Sequence, residues 1–189
     1  KTTTTTIAYE FLKTAGVSVH LAGNIGLPLC DQIADIKKND VLVVEVSSHQ
    51  LVNLDKFKAD IAVLTNLFQV HLDFFGTYEK YKLNKLRIFN NQDENSLAIL
   101  NKGDEEVCEL TKGLKAKKIY FSSKGEADIY IDNGSIIYNH EKVVELSDIR
   151  VKGIHNYENI MCAILATKKY GVSDKIIQDV VSNFGGVEH

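Results

Sequence analysis

Lys1-Thr2-Thr3-Thr4-Thr5-Thr6-Ile7-Ala8 is the stretch on which the fold turns. A lysine followed by a hydroxyl residue at the start of an amphipathic helix is the tail of a phosphate-binding P-loop. In a complete loop, preceding glycines let backbone N–H groups cradle the phosphates, the lysine reaches the β/γ-phosphates and the hydroxyl ligates Mg²⁺. No glycine precedes Lys1 in these residues. Either the lysine is fortuitous, or the chain is an internal piece of a longer nucleotide-using protein, and the remaining motifs favour the second reading. Ile7, Ala8, Phe11, Leu12 and Ala15 share one face and Gly16 is a stop signal, which predicts a helix over 3–14. Consecutive threonines are poor in mid-helix because β-branching restricts χ1, but they suit a helix start beside a phosphate.

Outward from this helix, strand-like and helix-like segments alternate. Strands are predicted at 17–21, 41–46, 61–66, 97–100 and 118–121, and helices at 27–36, 78–90 and 105–114. The unbroken apolar run 41–46 is typical of a strand buried on both faces of a parallel sheet. The rhythm then changes. Short segments at 127–131, 135–138 and 143–146, with the turn Asp132-Asn133-Gly134, read as antiparallel strands, and helices follow at 156–170 and 174–183. The expectation is an α/β fold with a mostly parallel, doubly wound sheet of P-loop type and a small antiparallel β insert at about 127–146. With a single proline and no low-complexity linker, residues 1–189 are expected to form a single domain.

Composition narrows the function. A chain of 189 residues, 44% hydrophobic, can bury a sizeable core. A net charge of −3 gives no support for nucleic-acid or anionic-membrane binding. No apolar run approaches the ~20 residues of a membrane span. Cys30, Cys108 and Cys162 are widely spaced without a C-x-x-C pair, which points to reduced structural thiols in a cytoplasmic protein.

Ligands of open α/β sheets collect at the carboxyl ends of strands, and polar clusters fall there. Ala22-Gly23-Asn24-Ile25-Gly26 suits a loop whose backbone approaches a ligand, and equally an ordinary glycine turn. Glu45 ends an apolar strand downstream of the P-loop tail, where a Mg²⁺-organising carboxylate is expected. Asn66 ends the next strand, and His71-Leu72-Asp73 in the loop beyond could bind a second metal or orient a substrate; such a pair is also common without function.

In a helix over 78–90, Lys85 shares a face with Tyr78, Tyr81, Ile88 and Phe89. Burial there would lower its pKa, and a neutral amine can take up CO₂ as a carbamate, an anionic oxygen ligand for Mg²⁺. The competing reading is a snorkelling lysine whose head reaches water. Asn156 and Asn159, three apart at a helix start, suit a purine edge; Asn156 is also a candidate N-cap.

In order and spacing these segments resemble the Mur ligase family, over essentially the whole chain. Lys1-Thr2-Thr3 is similar to the end of the family loop G-T-N-G-K-S/T-T. Gly23-Asn24-Ile25-Gly26-Leu27-Pro28 matches G-N-I-G-x-P, and Glu45-Val46-Ser47-Ser48-His49-Gln50-Leu51 matches E-L/V-S-S-F-Q-L. Lys85-Leu86-Arg87-Ile88 matches the K-x-R-I stretch whose lysine is carbamylated in the family, and 153–159 match G-x-H-N-x-x-N on the adenine side. Gly186-Val187-Glu188-His189 resembles the G-x-x-H-R junction to a C-terminal domain. Two positions depart: His49 stands where an aromatic is usual, and Val70 where an acidic residue precedes the histidine.

The resemblance, closest to the D-glutamate-adding branch, implies an ATP-dependent amide ligase of bacterial peptidoglycan precursor synthesis. Its substrates would be ATP, UDP-N-acetylmuramoyl-L-alanine and D-glutamate, joined through an acyl phosphate. Lys1, Thr2 and Thr3 would hold the nucleotide phosphates and Asn156 and Asn159 the adenine. Thr2 and Glu45 would hold a first Mg²⁺, and His71 with carbamylated Lys85 a second, open also to Mn²⁺. Lys1, His71 and Lys85 would be the catalytic groups, with Asn24, Ser47 and His71 on the muramoyl-alanine substrate. The resemblance further implies a cytoplasmic monomer, with no nucleic-acid or membrane partner. The family's N-terminal uridine-diphosphate domain and C-terminal domain are expected outside these residues, leaving the fragment inactive alone. The alternatives are another ligase on this scaffold, such as one adding glutamate to folate, or a nucleotide-binding module without catalysis. A second metal platform at His71 and Lys85 argues against the module.

Overall fold

The computed structural model describes residues 1–25 and 27–187. Gly26, the second glycine of the 23–28 segment, and Glu188-His189 of the expected junction lie outside the described residues. Along the chain run α1 (Thr2–Thr14), β1 (Val19–Gly23), α2 (Leu29–Gln32), β2 (Val41–Glu45), α3 (Ser48–Leu51) and β3 (Ile61–Leu64). Next come α4 (Leu72–Phe75), α5 (Tyr78–Leu86), β4 (Leu97–Asn101), α6 (Glu105–Leu110) and β5 (Lys117–Ser122). The chain finishes with β6 (Ile129–Asp132), β7 (Ser135–Tyr138), β8 (Glu141–Glu145), α7 (Ile154–Thr167) and α8 (Asp174–Asn183). The fold is α/β, with parallel pairs and a short antiparallel portion. Two compact units divide it: residues 1–45 with 121–189, and residues 46–120.

In the first unit, α1 buries Ile7, Ala8, Phe11 and Leu12, the stripe its periodicity predicts, and packs on α7, α8 and the β1–β2 pair. Its threonines are reconciled with helix by back-bonding: the Thr5 hydroxyl donates to the Lys1 carbonyl and Thr6 to the Thr2 carbonyl, each at 3.0 Å. At the other end Gly16, at φ 77°, accommodates the left-handed turn that stops the helix, donating its N–H to the Lys13 carbonyl. β1 and β2 pair in parallel from Val19↔Val41 to Gly23↔Glu45, so both strands end together. β5 pairs in parallel with β6, and β6, β7 and β8 continue antiparallel, which is the small antiparallel portion expected at about 127–146. α7 closes this core with an unbroken buried run from Ile160 to Leu165.

In the second unit β3 and β4 pair in parallel from Ile61↔Leu97 to Leu64↔Leu100. Ala62, Leu64, Leu67, Phe89, Ala98, Leu100, Val107 and Ala116 form its core. α5 and α6 begin on side-chain caps: the Thr77 hydroxyl accepts from the Lys80 N–H at 3.2 Å, and Asp104 from the Val107 N–H at 3.1 Å.

The structure corrects several boundaries. The helix expected over 27–36 is a single turn, because Leu27, Leu29 and Ile33 are exposed and the inward residue is Gln32. Its amide donates to the Leu21 and Leu27 carbonyls at 3.0 and 2.9 Å, plugging backbone acceptors instead of joining an apolar stripe. The helix expected to run to 90 ends at Leu86 and tightens to a 3-10 turn at Arg87–Phe89. Two short helices, α3 and α4, stand where no helix was predicted. Of the thiols, Cys162 is buried and Cys108 half-buried, and burial pushes the pKa of each upward, keeping them protonated. Cys30 is exposed, so it is not a core residue.

Candidate functional site

The first unit assembles the residues expected on the phosphate side into a cluster at the ends of α1, β1 and β2. Lys1 Nζ donates to Glu45 Oε1 at 3.0 Å, and Asn24 Nδ2 donates to the same oxygen at 3.2 Å. Glu45 is only 2% exposed, and its Oε2 is buried with no hydrogen-bond partner. Burial alone would raise its pKa; the Lys1 ammonium, the nearby Thr2 hydroxyl and the Asn24 amide outweigh it and hold the carboxyl below its usual 4.5. Glu45 is therefore ionised at neutral pH with one oxygen uncommitted. A buried carboxylate oxygen without a partner is costly, and it is the hard donor that Mg²⁺ takes. The residues present fit the cation expected from the sequence.

Gly23 makes that cluster possible. Its φ is 104°, and a Cβ there would lie 2.2 Å from the Glu45 carbonyl oxygen. The approach lets the Asn24 N–H donate to that carbonyl at 2.9 Å. So the glycine turn left open by the sequence is a close approach of backbone to backbone, and Asn24 turns its amide toward Glu45.

The residues expected on the adenine side lie in the same unit. Thr4, in the first turns of α1, donates its hydroxyl to Asn159 Oδ1 at 2.9 Å and ties α1 to α7. Thr3 is half-buried in the same turn. Asn156 is not the N-cap. Gly153 is, at φ 104°, while Asn156 Nδ2 donates to the Lys152 carbonyl at 2.9 Å. A side chain at 153 would meet only the exposed His155 ring, at 3.0 Å, so it is the positive φ that favours glycine at the cap.

The second unit holds the acceptor-side candidates. Ser47 caps α3 in a capping box: its hydroxyl accepts from the Gln50 N–H at 3.2 Å, and Gln50 Oε1 accepts from the Ser47 N–H at 2.8 Å. The S-x-x-Q spacing was a readable signal for this helix. Lys85 Nζ donates to the Asn66 carbonyl at 2.9 Å and lies 5.4 Å from the centre of the Tyr81 ring. Lys85 and Asn66 are thus together, a pairing the sequence did not suggest, and Asn66 lies just beyond β3, which ends at Leu64. His71 is exposed, at φ 57°, and heads α4.

Two neighbours of Lys85 in sequence bind α3 and the turn after it. Asn84 Nδ2 donates to the Ser48 carbonyl at 2.5 Å, and Arg87 donates to the Leu51 and Leu54 carbonyls at 2.9 and 3.0 Å. These anchors were not anticipated, since nothing local in the sequence shows which carbonyls a distant side chain will reach. At the start of α5, Tyr78 donates to Glu106 at 2.7 Å and Lys82 bridges Glu79 and Glu106. Burial and the Glu106 carboxylate push the Tyr78 hydroxyl up to about 12.

Fold and site define an α/β domain of P-loop type with a buried acidic strand end beside the loop lysine. The model of the Mur ligase middle domain matches residues 1–167, and the chain belongs to that family. It is 43% identical over 192 aligned positions to the UDP-N-acetylmuramoylalanine–D-glutamate ligase of Geobacillus kaustophilus, covering 100% of this chain and 42% of that protein. The chain thus spans less than half the length of the curated relatives it matches. Among solved structures it resembles a UDP-N-acetylmuramoyl-L-alanyl-D-glutamate–2,6-diaminopimelate ligase at TM-score 0.78, 23% identity, 100% of this chain and 45% of that one. It also resembles the MurF ligase of Thermotoga maritima in complex with ADP, at TM-score 0.69 and 24% identity, over 98% of this chain and 46% of that one. At these identities the structural likeness establishes the fold. No helix among the described residues is long and apolar enough to cross a membrane.

Proposed function

We propose that this chain is the nucleotide-binding part of a cytoplasmic, monomeric ligase that uses ATP to join D-glutamate to UDP-N-acetylmuramoyl-L-alanine through an acyl phosphate. The observation that carries it is Glu45, ionised, bonded to Lys1 through one oxygen and holding the other buried and unpartnered. A neutral or solvated strand end would have no need of that arrangement. The choice of acceptor and amino acid is supported by the motif segments at 23–28 and 45–51 and by the names of relatives such as the 43% identical Geobacillus protein.

In this reading Lys1 exchanges Glu45 for the β/γ-phosphates, and Thr2 and Thr3 donate to phosphate oxygens from the helix start, where the dipole favours anions. Thr2 and the free oxygen of Glu45 would hold the first Mg²⁺, and His71 with Lys85 as its carbamate would hold the second, which also accepts Mn²⁺. Such cations supply charge neutralisation between the transferring phosphoryl group and the acceptor carboxylate, which would otherwise repel. Asn156 and Asn159 orient the adenine, Asn159 with its oxygen already engaged by Thr4. Asn24, Ser47 and His71 position the muramoyl-alanine portion, Asn24 from its seat on Glu45.

The test is ATP-dependent phosphate release by the full-length protein with UDP-N-acetylmuramoyl-L-alanine, offering D-glutamate, L-glutamate, L-lysine and meso-diaminopimelate in parallel. Release that requires D-glutamate is the expected result. Release with a different amino acid would overturn the specificity, and none with any acceptor would overturn the ligase reading.

A further inference from the structure

The start of α7 carries both residues assigned to the adenine, yet little of it is buried. Ile154 to Asn159 are exposed or half-buried, and the buried run begins only at Ile160. Gly153 caps the helix without a side-chain hydrogen bond. Helix ends held this way fray, because their first N–H groups lack partners inside the helix. The amides at 156 and 159 therefore project from an overhanging end whose position depends on side-chain ties. The Thr4–Asn159 bond is one such tie, from α1.

A second tie comes from the carboxyl end of β5, where ligands of α/β sheets gather. Ser123, the residue after that strand, donates its hydroxyl to Glu158 Oε1 at 2.5 Å. A hydroxyl bonded to a carboxylate makes one of the stronger side-chain hydrogen bonds. Glu158 lies beyond the first turn of α7, where the helix dipole would reward an acidic residue, so the dipole does not account for it. Ser123 is itself well placed. Its neighbour Ser122 is buried, pairs with Tyr130 of β6, and accepts the Lys124 N–H through its hydroxyl at 3.0 Å. The overhang is thus held from α1 at Asn159 and from β5 at Glu158.

The ties leave a defined set of groups for a base. Asn156 spends an N–H on the Lys152 carbonyl and keeps its own oxygen as an acceptor; Asn159 spends its oxygen on Thr4 and keeps its N–H groups as donors. One acceptor beside one donor matches a 6-aminopurine, which offers an exocyclic amine next to a ring nitrogen. A 6-oxopurine puts a second acceptor where the amine stood. We propose that Ser123 and Glu158 are positioning residues of the nucleotide site, whose bond holds α7 so that its two amides distinguish a 6-aminopurine from a 6-oxopurine. The inference rests on the reading of Asn156 and Asn159 as adenine-side residues and adds the pair that sets them in place.

The experiment is calorimetric titration of the full-length protein, in excess Mg²⁺, with ATP and with inosine triphosphate, whose base is a 6-oxopurine. Ser123→Ala and Glu158→Ala break the tie, whereas Ser123→Thr keeps the donor and Glu158→Gln the acceptor; thermal unfolding checks each variant. The parent should bind ATP more tightly than inosine triphosphate. Both alanine variants should lose about fivefold or more in ATP affinity and little in affinity for inosine triphosphate, with the conservative variants close to the parent. The double alanine variant should be no weaker than the weaker single one, because one bond serves both residues. Unchanged ATP affinity in both alanine variants, an equal loss for the two nucleotides, or equal binding of the two by the parent would overturn the inference and leave the ATP reading standing. No ATP binding by the parent would overturn both.

Discussion

Lys1 and Glu45, 44 residues apart in sequence, meet through a single 3.0 Å hydrogen bond that engages one carboxylate oxygen and leaves the other buried without a partner. The pair has a pH signature. Glu45 titrates below its usual 4.5 when folded, so its contribution to stability is complete above about pH 4.5 and is lost as pH falls through the folded value. Urea midpoints of the parent and Glu45→Gln should differ at neutral pH and converge in acid. A gap that persists unchanged to low pH would show that the carboxylate charge is not what stabilises the cluster. At neutral pH the same variant should lose Mg²⁺-dependent nucleotide binding, measured by calorimetry.

Gly23→Ala tests the close approach of β1 to the end of β2. The new Cβ would meet the Glu45 carbonyl at 2.2 Å in a backbone conformation that already disfavours side chains. A loss of about 2 kcal/mol or more in denaturant unfolding is expected, with nucleotide affinity reduced because the same shift moves Glu45. Unchanged stability would mean that the strands separate easily at this point.

Thr4→Val removes the hydroxyl that holds Asn159 and should cost about 1 kcal/mol. The kinetic effect should fall on the KM for ATP, rising several-fold, with Thr4→Ser close to the parent. An equal rise in the KM for the muramoyl substrate would assign Thr4 to general packing instead.

Arg87→Ala should release the turn after α3, since two carbonyls lose a charged donor; about 2 kcal/mol of stability is expected to go with them. Arg87→Lys should recover only part, because an ammonium lacks the planar fork that spans two acceptors. The KM for the muramoyl substrate should rise more than that for ATP, because Ser47 stands at the head of the helix that Arg87 anchors.

Lys85→Ala should lower kcat of the full-length ligase by about 100-fold or more if the residue serves as a carbamate ligand. Added bicarbonate should not help, whereas a short carboxylic acid in excess should restore part of the rate. Normal turnover in Lys85→Ala would remove Lys85 from the mechanism.

What the sequence by itself determined were the features set by neighbours a few residues away. The stripe Ile7, Ala8, Phe11 and Leu12 predicted α1, and the buried face proved to be that stripe, because helical periodicity is a local property. The run ending at Glu45 likewise predicted a strand with an acidic end, but not its burial, since Leu42 is exposed and within the strand only Glu45 is fully buried; the motif order was enough to identify the family. Even the capping box of α3 lay in Ser47 and Gln50, although it was not read there.

Only the tertiary structure decided which distant groups meet. Thr4 reaches Asn159 across 155 residues, Asn84 and Arg87 reach carbonyls 33 to 36 residues away, and Gly23 is obligatory because of where the Glu45 carbonyl happens to lie. The same holds for α2. Its apolar residues suggested a long buried helix, but the polar Gln32 turns inward to satisfy backbone acceptors and the leucines face out. Buried polar groups must find partners wherever the chain brings them, and that requirement overrides periodicity at the points where strands end and the candidate site begins.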